Sequence, residues 1–207
     1  MLTCIAVVPK SDAATLIVNQ IGPDDGATAG TLRKVANDAA PGDTIKFDFG
    51  GGIHTITLSD ALTVNKDLTF MSAPADSIQI SGGNANGVFV INPGMTVVIQ
   101  DITITNGRAE WGGGILNRGD LSLKNVSVVN NTAQGDNGGT NVSGGGGGGA
   151  AFGGGIFNEG TLLIEDSIIT QNDVDGGNGG TASGSGGGSG GNDGGDGGFG
   201  GGGGGVR

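Results

Sequence analysis

Apolar and polar residues alternate in short runs through the middle of the chain, and each run ends at Asn, Asp or Gly. In one run Leu68 and Phe70 fall on the same side of the chain, and in the next run Ile78 and Ile80 do so. Alternation with a period of two predicts β-strands that turn one face inward and the other outward. Because the runs are short, we expect short strands that are separated by tight turns.

The same pattern recurs in segments that begin at Leu62, Val88, Gly113 and Gly154. A repeat of roughly 20 to 50 residues is typical of solenoids and related arrays. The inward positions predicted to match are Leu68/Phe70, Val97/Ile99, Leu121/Leu123 and Leu162/Ile164, followed by Ile78/Ile80, Ile102/Ile104, Val126/Val128 and Ser167/Ile169. We expect the hydroxyl of Ser167, a polar member of these columns, to bond a backbone carbonyl of a neighbouring coil.

One copy of this repeat is too small to bury its own apolar face, whereas stacked copies form a continuous interior. We therefore predict an all-β fold, a single-stranded right-handed parallel β-helix (solenoid). It would have about four coils, a short N-terminal capping helix and Gly-rich disordered insertions. Neighbouring coils would lie about 4.8 Å apart. A sandwich of antiparallel hairpins is the alternative, but it does not predict a strand register that repeats at every third strand.

Composition and pattern divide the chain into four regions. They are residues 1–14, a disordered N-terminus or remnant signal segment; 15–58, an N-terminal cap with a strand, a helix at 31–40 and a strand, followed by the start of the first coil; 59–174, the β-helix coils with a Gly-rich insertion at 133–152; and 175–207, a Gly-rich flexible tail. In the cap, Leu32, Val35, Ala36 and Ala39 share one helical face. We expect this helix to cover the open end of the first coil.

Asparagine and aspartate mark the turns of the repeat. We predict structural turn and ladder roles for Asn65, Asn92, Asn117 and Asn158 after the first strand, Asp101, Asn125 and Asp166 at the corner, and Asn131 and Asn172 at the end of the repeat. Short polar side chains of this kind bond the backbone of turns above and below them. The corner column is also the best candidate for sugar cleavage, which needs clustered carboxylates. No catalytic residue is assigned from the sequence.

The charge balance narrows the classes of partner. The formal net charge is −11 and the chain holds 49 glycines. Binding to nucleic acid calls for a basic face, so nucleic acid is not an expected partner. No apolar stretch is long enough to span a bilayer, so membrane insertion is not expected. Cys4 is the single cysteine, and no disulfide can form within the chain.

Two short motifs are candidate ligand contacts. Arg108, Glu110 and Trp111 combine an aromatic ring with charged neighbours, a combination that could stack a sugar ring. Arg118 and Asp120 flank a glycine in an Arg-Gly-Asp tripeptide, a sequence known from integrin ligands but common by chance. The competing interpretation is a turn in which glycine is required and its neighbours vary. No cofactor is expected, and the Gly-Asp pattern at 187–199 is interpreted as a plain flexible tract rather than a Ca²⁺ site.

The repeat resembles a known group of surface proteins. Gly113-Gly114-Ile115 and Gly154-Gly155-Ile156, each followed by strands that close on Asn131 or Asn172, are similar to the GGA-I and FxxN repeats of polymorphic outer-membrane proteins. Residues 30–35 and 43–47 resemble the N-terminal module of bacterial secreted β-helix proteins of the CSLREA type. Val128 and Ile169 replace the family's phenylalanine, and the CSLREA motif itself is absent. The resemblance implies a β-helix and an exported location.

We therefore expect a non-catalytic exported or cell-surface β-helix scaffold, of an adhesion, matrix or passenger type, that is secreted or displayed on a bacterial surface. Carbohydrate or a host or cell-surface protein is the expected partner. A polysaccharide-active lyase or glycosidase, or its inactive relative, is the alternative. We also expect that further coils follow or that another surface covers the lower edge of the last coil, since an uncapped edge invites self-association.

Overall fold

The structure is a computed structural model that describes residues 12–140 and 146–181. Within these residues the chain forms a parallel β-solenoid of about five turns, with the all-parallel sheets of a right-handed β-helix. Each turn of the solenoid adds one strand to each of several sheets that run along the axis. The strand order within every sheet therefore follows the order of the coils.

The strands fall into four sheets. The first holds β1 (Thr15–Val18), β2 (Thr44–Phe47), β5 (Leu68–Ser72), β8 (Thr96–Gln100), β12 (Asp120–Lys124) and β16 (Thr161–Glu165); the second holds β3 (Gly52–Thr57), β6 (Asp76–Ser81), β9 (Ile102–Thr105), β13 (Ser127–Val129) and β17 (Ile168–Thr170). The third holds β4 (Leu62–Val64), β7 (Phe89–Ile91), β11 (Ile115–Asn117) and β15 (Ile156–Asn158), and the fourth β10 (Arg108–Ala109), β14 (Thr132–Gln134) and β18 (Asp173–Asp175).

The predicted inward columns are confirmed. Leu68 pairs with Val97, which pairs with Leu121, and Ile104 pairs with Val128. These side chains lie in one continuous buried core that runs through the coils. Burial of each Leu, Ile or Val removes apolar surface from water and contributes about 1.5–3 kcal/mol.

The solenoid begins one coil earlier than the sequence analysis predicts. Residues 44–49, interpreted there as part of the cap, contain β2, and Ile45 pairs with Phe70 in the core register. With β3 and β4 this strand completes a coil above the one that begins at Leu68. The predicted count of about four coils is too low because the four aligned segments begin only at Leu62, downstream of this first coil.

The predicted alignment of asparagines is wrong by one residue in two copies. Asn117 pairs with Asn158 on one side but with Ile91 on the other, and Ile91 pairs with Val64. Asn65 and Asn92 therefore lie one position later, in the turn that follows. The inward column changes from valine and isoleucine to asparagine between the second and third coils.

Two corners of each lower coil bend through left-handed backbone. At the first corner Asp101, Asn125 and Asp166 have φ values of 57°, 51° and 50°. At the second corner Asn106, Asn130 and Gln171 have φ values of 51°, 55° and 54°. Asn and Asp adopt this conformation more readily than other residues with a side chain, which explains the polar markers of the repeat.

The single helix of the described residues, α1 (Leu32–Asp38), belongs to the N-terminal cap. It buries Leu32, Val35 and Ala36. The helix C-terminus is held by Lys66, whose Nζ donates to the carbonyls of Ala36, Asn37 and Ala39 at 3.1, 2.8 and 2.7 Å. A cation at this end also complements the helix dipole.

A second anchor ties the loop before α1 to the first coil. Arg33 pairs with Asp24 at 2.6 Å, and Asp24 also accepts the backbone N–H of Ser59 at 2.9 Å. The N–H groups of Thr28 and Ala27 donate to Asp25 and hold the pKa of that carboxyl below its usual range. These contacts fix the cap to the stack without a disulfide.

The described parts of the two Gly-rich stretches form an ordered bundle of three extended segments, 135–140, 146–150 and 176–181. The bonds are Gly135 N–H to Asp175 O, Gly138 to Asn178, Gly146 to Gly139, Gly149 to Asp136, Gly177 to Gly149 and Gly180 to Gly146, all at 2.7–2.8 Å. The donors recur every third residue, which is the period of a polyproline-II helix. We correct the expectation of loose loops for these residues; residues 141–145 and 182–207 lie outside the described residues.

The bundle has room only for glycine at its contacts. A Cβ on Gly177 would lie 1.8 Å from the carbonyl oxygen of Asp136, and one on Gly138 would lie 2.0 Å from that of Gly146. Gly139, in the same bundle, has no atom within 4 Å of the equivalent position. The glycine content of these stretches therefore has a packing reason.

We predict that Gly177→Ala opens the bundle while Gly139→Ala leaves it closed. Overpacking at Gly177 costs about 1–3 kcal/mol, and at a 1.8 Å contact this outweighs the roughly 0.4–1 kcal/mol that alanine can gain through lower chain entropy. Hydrogen exchange at the amides of Gly135, Gly138 and Gly149 should accelerate in the first variant alone. Equal protection in both variants would show that the bundle does not form as described.

Candidate functional site

A buried asparagine ladder closes the lower coils. The side chain of Asn131 is fully buried; its Oδ1 accepts the N–H of Gly107 at 2.8 Å, and its Nδ2 donates to the carbonyls of Ile104 and Val129 at 3.1 Å. In the next coil the Oδ1 of Asn172 accepts both the backbone and side-chain N–H groups of Asn131 at 3.0 Å. This ladder gives the Gly107 N–H at the corner a buried hydrogen-bond partner.

The second glycine of the GG-I motif makes space for this ladder. A Cβ on Gly155 would lie 2.7 Å from the Nδ2 of Asn172, and one on Gly114 would lie 3.0 Å from the side-chain amide of Asn131. The glycine and asparagine positions of the repeat thus belong to one packing unit. The spacing of the motif therefore describes a structural element.

Two further polar side chains have structural partners. The Nδ2 of Asn117 donates to Asn158 Oδ1 at 2.6 Å, so these two form a second, shorter ladder.

The expectation for Ser167 is wrong: its hydroxyl donates to the carbonyl of Glu165 in its own coil at 2.7 Å and accepts the N–H of Val126 from the neighbouring coil at 2.9 Å. The inward column continues because this hydroxyl is satisfied.

The first corner forms a shallow groove of about 550 Å³. Its lining residues are Gln100, Asp101, Lys124, Asn125, Glu165 and Asp166. The two carboxylate oxygens of Asp101 accept the Nδ2 of Asn125 at 2.7 Å and the Nε2 of Gln100 at 2.9 Å. Lys124 pairs with Glu165 at 3.1 Å. The Asp101–Asn125 and Lys124–Glu165 contacts join successive coils, whereas the sequence analysis predicts bonds to turn backbone.

The Arg-Gly-Asp tripeptide lies in the turn before β12. A Cβ on Gly119 would lie 2.4 Å from the carbonyl oxygen of Met95, so close stacking on the coil above requires the glycine. Arg118 pairs with Glu159 of the coil below at 2.7 Å, and both side chains are nearly half exposed. Asp120 is exposed. The structure therefore displays Asp120 but engages Arg118 within the chain.

Trp111 belongs to a cluster of three aromatic rings, which we call the aromatic platform: Trp111, Phe152 and Phe157. The indole stacks on Phe152 with ring centroids 4.7 Å apart and planes at 26°, and it meets the edge of Phe157 at 5.1 Å. Trp111 is 39% exposed. Arg108, three residues before Trp111 and in β10, donates through Nη2 to the Oε1 of Gln134 at 2.9 Å.

Sequence reasoning missed Phe152 and Phe157. Phe152 lies at the edge of the Gly-rich insertion, and Phe157 occupies an outward strand position that aligns with Leu116 and Val90. An offset of 41 residues relates the coil of Asn131 to that of Asn172, and the same offset relates Trp111 to Phe152. Applying that offset through the insertion would have placed the two rings together.

No family model matches the chain, and searches of curated proteins and of solved structures find no similar protein. Among residues 12–140 and 146–181, no three His, Cys, Asp or Glu side chains converge as metal ligands. Within the same residues no helix has the length and apolar character needed to cross a bilayer.

We predict that Asn131→Ala destabilises the lower coils far more than Asn65→Ala does. Removal of the buried amide leaves the Gly107 N–H without its partner, at about 1–3 kcal/mol for a buried group, and deletes the bonds to the carbonyls of Ile104 and Val129. Asn65 is exposed and serves as the matched control. Urea denaturation should show a clear loss for Asn131→Ala and a change within about 0.5 kcal/mol for Asn65→Ala. Similar midpoints for the two variants would contradict the ladder.

Proposed function

We propose that the chain is a non-catalytic β-helix scaffold that is secreted or displayed on a bacterial cell surface and adheres to carbohydrate or protein partners. The coil stack supports this proposal because inward positions and corners carry the fold, while outward positions vary from coil to coil. In the first sheet, for example, Val98, Ser122 and Leu163 share one outward column. Such faces can change without loss of the fold.

The observation that carries the proposal is the state of the corner residues. Sugar cleavage needs a proton donor and a base or nucleophile that are free to face the substrate. Asp101 instead accepts bonds at both carboxylate oxygens, and Lys124 and Arg118 pair with glutamates of the next coil. These charged groups link successive coils to one another.

The exported location rests on the resemblance of the GG-I repeats to those of polymorphic outer-membrane proteins. Any solenoid with this asparagine ladder needs glycine at the positions of Gly114 and Gly155. The motif therefore supports the fold more directly than it supports a relationship to polymorphic outer-membrane proteins. Protease treatment of intact cells that carry the gene tests the location. We expect cleavage of the chain without lysis; protection until the cells are broken would contradict surface display.

A polysaccharide-active enzyme is the second candidate, and the corner groove is the observation that favours it. The groove brings Asp166 next to the Lys124–Glu165 pair. An acid, a base and a cation in one groove are the groups that elimination or hydrolysis of an acidic polysaccharide would use. Asp166 and Lys124 are therefore the residues to change if cleavage is found.

Incubation of the purified chain with polygalacturonate, alginate and neutral polysaccharides separates the two candidates. We expect retention on immobilised polysaccharide or matrix protein, without new reducing ends or unsaturated products. Cleavage that is lost in Asp166→Asn or Lys124→Ala would establish the enzyme instead. In a separate cell-attachment assay, Asp120→Glu should leave attachment unchanged, because Arg118 is already paired with Glu159. Loss of attachment in that variant would assign adhesion to the tripeptide.

A further inference from the structure

The aromatic platform lies outside the buried core of the solenoid. The largest rings of the core, Phe47, Phe70 and Phe89, are fully buried. Trp111 keeps 39% of its surface exposed and is supported from one side by Phe152. A large ring that is stacked on a second ring is already held in one orientation. A ligand that covers its exposed face therefore costs little side-chain conformational entropy.

Polar groups next to this ring are also open. Among the described residues, the indole N–H of Trp111 and the carboxylate of Glu110 have no hydrogen-bond partner. Arg108 donates one bond, to Gln134, and is otherwise exposed. A buried indole N–H usually has a hydrogen-bond partner. The N–H of Trp111 has none within the described part of the chain, so it is available to donate to a ligand. The platform thus combines an apolar face with donors and an acceptor beside it.

We propose that the aromatic platform binds the ring of a neutral hexose unit in a polysaccharide. A pyranose ring has an apolar face of C–H groups and a rim of hydroxyls that both donate and accept hydrogen bonds. The first matches the open face of Trp111, and the second matches the indole N–H, Glu110 and Arg108. The proposal rests on the adhesive scaffold function and names its ligand class.

The local charge favours a neutral sugar over an acidic one. In the fourth sheet Arg108 shares a column with Thr132 and Asp173, and the neighbouring column holds Gln134 and Asp175. With Glu110, three carboxylates and one guanidinium occupy exposed positions on this side of the coils, and the chain as a whole carries −11. A uronic acid would meet net repulsion within the screening distance of about 8 Å at physiological salt.

Intrinsic fluorescence tests this site directly because the chain has one Trp and no Tyr. Emission excited at the red edge of tryptophan absorption therefore reports Trp111 alone. Titration of the purified chain with a neutral glucan or a neutral galactomannan should shift the emission to shorter wavelength and protect it from acrylamide. Polygalacturonate should change neither signal. Unchanged emission with every neutral polysaccharide would overturn the proposal.

Substitutions connect the signal to binding. In a retention assay on immobilised neutral polysaccharide, Trp111→Ala should weaken binding about tenfold or more, as for a central aromatic contact, and Trp111→Phe should restore part of it. Leu163→Ala removes a side chain that is 51% exposed on the first sheet and should bind like the unchanged chain. Full binding by Trp111→Ala would refute this site but leave the adhesive scaffold intact, whereas cleavage of the polysaccharide would refute the scaffold function itself.

Discussion

Backbone hydrogen bonds that run along the axis, from each coil to the next, are the interaction on which the rest of the structure depends. They require neighbouring strands to keep one register at a spacing of about 4.8 Å. Every corner must then repeat the same path, which places Asp101, Asn125 and Asp166 in left-handed backbone. Wherever two backbones meet more closely than a side chain allows, as between Gly160 and the carbonyl of Gly119, the position must be glycine. In the Gly-rich bundle, close backbone contacts also require glycine, but the residues that donate the hydrogen bonds recur every third residue.

The inward columns could be predicted from the sequence because period-two alternation reports directly which side of a strand is buried. The first coil was missed because Ile45 and Phe47, which supply its core, lie upstream of the four segments that align in the sequence. The predicted alignment placed Asn92 opposite Asn117 because both residues are found at a turn. The strand register, which pairs Asn117 with Ile91, shows that Asn92 lies one position later. The bundle was missed because glycine leaves no apolar pattern, so its order depends on hydrogen bonds between segments that are distant in sequence.

The side chains that are available to a partner are those that do not bond between successive coils. At the first corner Asp101 bonds Asn125 of the next coil. The Arg118–Glu159 ion pair likewise joins two successive coils. The aromatic platform differs, because Trp111 and Phe152 pack on the outside and their removal would open no core cavity. For the Arg-Gly-Asp turn only the sequence motif suggests a ligand contact, whereas the stacking and exposure of Trp111 support the proposed sugar site.

Disulfide mapping of the coil register tests the central claim most directly. In a Cys4→Ser background, Thr103→Cys with Ser127→Cys joins register partners on adjacent coils, and Thr103→Cys with Val129→Cys joins positions two residues out of register. Disulfides need Cα atoms within about 7 Å, a limit that the first pair meets and the second exceeds. We predict that mild oxidation cross-links the first pair in high yield and leaves the second reduced. Equal cross-linking of both pairs, or of the second alone, would contradict the stacked register.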